Sequence, residues 1–147
     1  MKKSILIVFF LLTAGFARAD GWLHREPVAG NFEDIKDNLV MAIESRGLVI
    51  NYVSHISDML ARTGADLGMT RKIYERAEIV EFCSARLSRR MMEMDPQNIV
   101  MCPFAISLYT LPGEPGKVWL SYRQPQGLAA PLVSELLGGL VGEAAGR

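Results

Sequence analysis

Ile99-Val100-Met101-Cys102-Pro103-Phe104-Ala105-Ile106-Ser107-Leu108-Tyr109-Thr110-Leu111, then Pro112-Gly113-Glu114-Pro115-Gly116, then Lys117-Val118-Trp119-Leu120-Ser121-Tyr122-Arg123, is the stretch that decides the fold. The first segment is a long apolar run and reads as a strand over Ile99–Leu111. The second is turn chemistry throughout, with two prolines to preset φ and two glycines to take positive φ. The third alternates, with Val118, Leu120 and Tyr122 on one face, so it reads as the answering strand of a hairpin.

Outward from this hairpin the elements alternate. Upstream, Ala77–Cys83 is a strand carrying Ile79, Val80 and Phe82. Ser84 is placed to cap a helix whose Leu87, Met91 and Met94 share a core-facing stripe, with Met92 off it, and Asp95-Pro96 ends it. Arg86, Arg89 and Arg90 lie on the solvated side with Glu93 within pairing distance. Downstream, Pro131 suits the first turn of a helix bearing Leu132, Val133, Leu136, Leu137, Leu140 and Val141. Nearer the start, Trp22–Val28 reads as an edge strand because Pro27 cannot donate to a ladder. Asn31 caps a helix with Phe32, Ile35, Leu39, Ala42 and Ile43 on its apolar face, and Gly47 stops it. Leu48–Val53 is a β-branched strand. Ser57 or Asp58 is expected to cap a short helix over Met59–Leu67, and Gly68–Lys72 is a loop. Helices with an antiparallel hairpin give an α+β class, an antiparallel or mixed sheet of about four to five strands with helices packed on one face.

Composition narrows the function classes. The chain has 147 residues with 16 basic and 16 acidic side chains, enough for one domain and short for two. The absence of basic runs excludes a nucleic-acid partner, because phosphate contacts need a Lys/Arg footprint. Lys2 and Lys3, the uncharged run Ile5–Phe16 and Ala17-Arg18-Ala19 form the tripartite pattern of a secretory signal peptide. Twelve residues span about 18 Å as a helix, short of the roughly 30 Å hydrocarbon core. Residues 1–19 are therefore expected to be removed between Ala19 and Asp20. That leaves one domain over 20–147, periplasmic or secreted, with no second run long enough to span a membrane. Losing Lys2, Lys3 and Arg18 leaves thirteen basic against sixteen acidic side chains, a mildly acidic protein.

The blocks Glu81-Phe82-Cys83-Ser84-Ala85 and Ile99-Val100-Met101-Cys102-Pro103-Phe104 resemble the domain of unknown function 302 family. In that family a strand ends in a cysteine, a helix follows, and the next strand begins near a second cysteine beside a proline. The segment Asn51–Met59 with His55, and the exit Gln124-Pro125, are similar to it as well, so the resemblance runs from about Phe32 to Leu137. It implies an α+β sheet with helices on one face, often dimeric, so a homodimer is a candidate assembly. It implies no established activity.

His55, Cys83 and Cys102 are the one constellation with chemistry in it. Two thiols and an imidazole suit copper(I), zinc or the iron of haem, making copper and haem the candidate cofactors. An oxidising compartment would instead join Cys83 to Cys102 as a disulfide. The plainest reading makes both cysteines small buried hydrophobes. If the two strands were parallel neighbours, the helix between them would leave the sulfurs at opposite ends of the sheet, beyond the roughly 7 Å a bridge allows between Cα atoms. Another strand order removes that objection, and strand ends on one edge would draw all three residues together. Ser57 and Asp58 follow His55, but residues two and three apart in sequence need not face each other, so a nucleophile–base–acid triad finds little support. No G-x-S-x-G, H-E-x-x-H, C-x-x-C or C-x-x-C-H motif occurs. The expectation is a non-enzymatic exported binding or accessory domain whose partner is a small ligand or a protein. A thiol-dependent redox factor or a metal- or haem-binding protein using Cys83 and Cys102 is the alternative.

Overall fold

The computed structural model describes residues 20–147, and the expected signal peptide lies outside the described residues. After a short 3-10 turn at Asp20–Trp22, the chain forms β1 (Leu23–Ala29), α1 (Phe32–Ser45), β2 (Val49–His55), α2 (Ile56–Gly64) and β3 (Arg76–Cys83). It continues as α3 (Ala85–Met94), a 3-10 helix at Pro96–Met101, β4 (Phe104–Thr110), β5 (Lys117–Arg123) and α4 (Ala130–Ala144). The five strands make one antiparallel sheet in the order β1-β5-β4-β3-β2. The fold is α+β. No helix among the described residues is long and apolar enough to cross a membrane.

Local signals place most elements. The Asn31 side chain accepts from the Asp34 N–H at 2.9 Å, which satisfies one of the orphan donors of the first turn of α1. Gly47 takes φ +67° just past the C-terminus of that helix, where a Cβ would be strained. The Ser84 hydroxyl accepts from the Leu87 N–H and starts α3. Pro27 sits in β1, an edge strand as expected, opposite Trp119. Since β1 and β2 occupy the two edges, α1 must cross the whole sheet to join them. It packs on β2 and β4 and against α4.

The core lies between that helical layer and the sheet. Val80, Phe82, Ile106, Leu108, Val118 and Leu120 alternate inward from three adjacent strands, meeting Leu39 and Ile43 of α1 and Val133, Leu137 and Leu140 of α4. On the opposite face Arg25 stacks over the Trp119 ring at 4.4 Å, and Trp119 stacks with Tyr109.

Three expectations need correction. The long strand over Ile99–Leu111 is two elements: a 3-10 helix over Pro96–Met101, then β4 from Phe104. Pro96 fills the first turn and the Asp95 side chain accepts from the Gln97 N–H, so this segment coils, and its Ile99 and Val100 are exposed. The short helix begins at Ile56, not Met59, with His55 at its N-cap position. Ser57 is spent in a hydroxyl contact to the Ala77 carbonyl, and no side chain caps the helix. Met94 is exposed although its spacing matches Met91, because α3 ends there; Met91 is buried and Leu87 packs against the core.

Candidate functional site

Strand direction decides where the cysteines go. β3 and β4 are antiparallel neighbours with Phe82 opposite Phe104, so the end of β3 and the start of β4 lie side by side. The chain between them makes an out-and-back excursion: α3 leads away, and the 3-10 helix packs against it on the return. The Asn98 side-chain amide ties the two arms together by donating to the Met91 carbonyl at 2.8 Å. The parallel arrangement that would separate the sulfurs does not occur. Cys83 and Cys102 share one end of the sheet as free, half-buried thiols. The Cys102 sulfur lies 3.3 Å from the Ser88 hydroxyl, and its side chain packs against the core. Burial pushes the Cys83 thiol up from its ordinary value, and the neighbouring Cys102 adds to this.

His55 goes elsewhere. It pairs with Glu78, whereas Cys83 pairs with Val49, so five residues of β3 separate the imidazole from the thiols, about 17 Å at strand rise. The three residues do not form one cluster, and among the described residues no group of three or more His, Cys, Asp or Glu could hold a metal ion. His55 belongs instead to an ionic network around the buried Glu78. Its Nδ1 is 3.5 Å from Glu78 Oε1, Arg76 is 3.4 Å from the same oxygen, and Lys36 of α1 stands 2.6 Å from Oε2, an ion pair outside hydrogen-bond geometry. Arg76 also pairs with Glu33 and lies over the Phe32 ring. The network fastens the first turns of α1 to β3.

The cysteine end of the sheet is also hollow. A cavity of about 450 Å³ opens there, within the size range of small-ligand sites. Val100, Met101 and Pro125 give it apolar surface beside Cys102, over a floor of Phe104, Val133 and Leu137 that is almost wholly buried. Glu81, Arg123, Asn98, Gln124 and Gln126 supply polar groups. The sheet itself makes room. β3 pairs with β4 as far as Phe104, and β1 pairs with β5 as far as Arg123, but the β4–β5 ladder stops at Ser107–Ser121. The cavity lies beyond that last rung, so residues of both sheet faces line it. A second hollow, of about 510 Å³, runs beside His55 and is lined by β2 and α2 alone. It is somewhat more open than the cavity at Cys102, which draws its lining from more elements and is the stronger candidate.

A family model described as domain of unknown function DUF302 matches residues 24–145, nearly all of the described chain. The chain belongs to the DUF302 family. Among solved structures, the crystal structure of an uncharacterised conserved DUF302 protein from Bacillus stearothermophilus is similar, with a TM-score of 0.60 at 14% identity. The match covers 85% of this chain and 94% of that one. At that identity the likeness shows the DUF302 fold and no more. No curated protein matches the chain.

Of the residues singled out from sequence, the DUF302 fold brings Cys83 and Cys102 together and leaves His55 apart. Glu81, Arg123 and Phe104 went unnoticed as site residues. A lone acid inside Ile79-Val80-Glu81-Phe82-Cys83 is a visible signal, but its place across β4 from Arg123 depends on strand order, which no local pattern carries.

Proposed function

We propose that this DUF302 protein is an exported, non-enzymatic small-ligand-binding domain, periplasmic or secreted, whose site is the cavity beside Cys102. The carrying observation is the cavity: apolar surface, a few convergent polar groups, and walls drawn from β3, β4, β5, α4 and the 3-10 helix. Walls held by several packed elements keep a site preformed, which lowers the ordering cost of binding. The charged N-terminal end, apolar run and Ala17-Arg18-Ala19 support export.

Native mass spectrometry of the protein recovered from its own cell envelope tests the reading. A non-covalent adduct is expected on a chain beginning at Asp20, and it should be lost when Ala105, which also lines the cavity, is enlarged by Ala105→Phe. A folded protein with no adduct, or an adduct that survives the filled cavity, counts against this site.

One observation favours a second reading, a thiol redox factor. Two free thiols sit at one end of adjacent strands. In that reading, thiolate attack on an exogenous disulfide gives a mixed disulfide and a released thiol. The second cysteine then displaces the bound half, closing Cys83–Cys102 and releasing the second thiol. Treatment of the native protein with oxidised glutathione should then lower its mass by the two hydrogens lost and abolish thiol labelling. Unchanged labelling removes this reading.

A further inference from the structure

The cavity holds two opposite charges that nothing else uses. Glu81 and Arg123 both line it, and neither makes a salt bridge or a side-chain hydrogen bond among the described residues. They are the two charged side chains in its lining. Glu81 faces Ala105 across the β3–β4 ladder, and continuing the β4–β5 register places Arg123 on the far side of the same Ala105. The carboxylate and the guanidinium therefore flank one strand whose residue between them is small. Two strand spacings make about 10 Å the least distance between their backbones, and the parting of β4 and β5 beyond Ser107–Ser121 widens it. The structure shows no ion pair between them.

We propose that the cavity recognises a zwitterion, an amino-acid-like ligand with an ammonium toward Glu81, a carboxylate toward Arg123 and an apolar side chain on Val100, Met101 and Pro125. This rests on the ligand-binding reading above and names the ligand class for that same site. The charge arrangement selects by exclusion as well as attraction. A simple anion drawn to Arg123 meets the Glu81 carboxylate, and a simple cation drawn to Glu81 meets Arg123. Only a ligand carrying both signs satisfies both residues, and its net charge matches the zero net charge of the pair. The guanidinium presents a planar fork that suits a carboxylate. Asn98, Gln124 and Gln126 add neutral donors and acceptors around it. A free amino acid and a short peptide share this chemistry and differ in the distance between their charged ends.

Calorimetric titration of the full mature protein with four probes tests the inference: leucine, leucyl-leucine, N-acetyl-leucine and leucinamide. One or both zwitterions should bind at least tenfold more tightly than the two singly charged forms, and the tighter of the two separates free amino acid from peptide. Arg123→Gln should erase the preference for leucine over leucinamide. Glu81→Gln should erase the preference for leucine over N-acetyl-leucine. Both side chains lie at the cavity rim, so circular dichroism of each variant should match the parent. Equal affinity for all four probes, or binding of none, overturns the zwitterion. If the natively purified protein still carries an adduct that Ala105→Phe removes, the cavity survives as a ligand site of another class. If no such adduct exists, both fall together.

Discussion

Phe82 of β3 lies directly across from Phe104 of β4, their ring centroids 5.9 Å apart in the core. This one rung has consequences on both sides. It seals the core under the end of the sheet, and it sets the residue after Phe82 beside the segment before Phe104. Cys83 and Cys102, nineteen positions apart in the chain, become neighbours because two aromatic rings pair.

That neighbourhood predicts thiol behaviour. Burial, reinforced by Cys102, holds Cys83 protonated above the ordinary thiol value of 9.0, and the thiolate is the reactive form. In a Cys102→Ser variant, alkylation of Cys83 at pH 7 should be slower than in the urea-unfolded chain. Alkylation in the folded variant as fast as in the unfolded chain would contradict the burial of this sulfur.

The ionic network under α1 predicts a loss of stability on a small change. Glu78 is 5% exposed and faces Lys36, Arg76 and His55. Glu78→Gln keeps the shape and removes the charge, leaving Lys36 and Arg76 without their buried counter-ion. Glu78 alone in the network is buried; Lys36 and Arg76 are 22% and 43% exposed and gain hydration once unpaired, so the loss should be about 1–3 kcal/mol. Urea unfolding should show that loss with an unchanged m-value. A cost under about 1 kcal/mol would place the network in the weak class of surface pairs.

Two substitutions in α4 should act in opposite directions. Leu140 is fully buried, and Leu140→Ala should cost about 2–5 kcal/mol through lost transfer energy and an unfilled cavity. Gly142, two residues on, has ordinary helical φ and open space where a Cβ would stand. Gly142→Ala should stabilise by about 1 kcal/mol, because glycine is a poor helix residue and nothing resists the methyl group. Equilibrium unfolding of the two variants separates them, and destabilisation by Gly142→Ala would mean that α4 packs more tightly there than the structure shows.

Stability against pH should form a dome. Burial raises Cys83 and Tyr122, with Glu26 adding to the shift at Tyr122. Their neutral forms are favoured in the folded state, so this stability is complete below the ordinary values of 9.0 and 10.0 and is lost as pH rises through the raised ones. At the acid side, hydrogen bonds from Arg76 and from the Trp119 indole hold Glu33 and Glu114 below their ordinary 4.5. Those two contribute above 4.5 and lose their effect as pH falls through the lowered values. Melting temperatures should fall on both limbs, and Trp119→Phe should flatten part of the acid one. A melting temperature that rises above pH 10 would reverse the predicted sign.

What the sequence determined by itself is local. Asn31 and Ser84 announce their helices because a cap is an interaction over three residues. Pro112–Gly116 announces its hairpin because a turn needs particular φ values, and the alternation of Val118, Leu120 and Tyr122 shows which face of β5 is inward. The family was legible too, in the two cysteine-bearing blocks. Tertiary structure decided the rest. Whether Ile99–Met101 extends or coils depends on packing against α3, and whether His55 meets the cysteines depends on the direction of β2 against β3. The cavity needs β4 and β5 to part after Ser107, and its opposite charges come from strands that are not neighbours in sequence or in the sheet. Each of these turns on strand order and register between segments tens of residues apart, which short-range residue preferences leave open and the burial of one shared core settles.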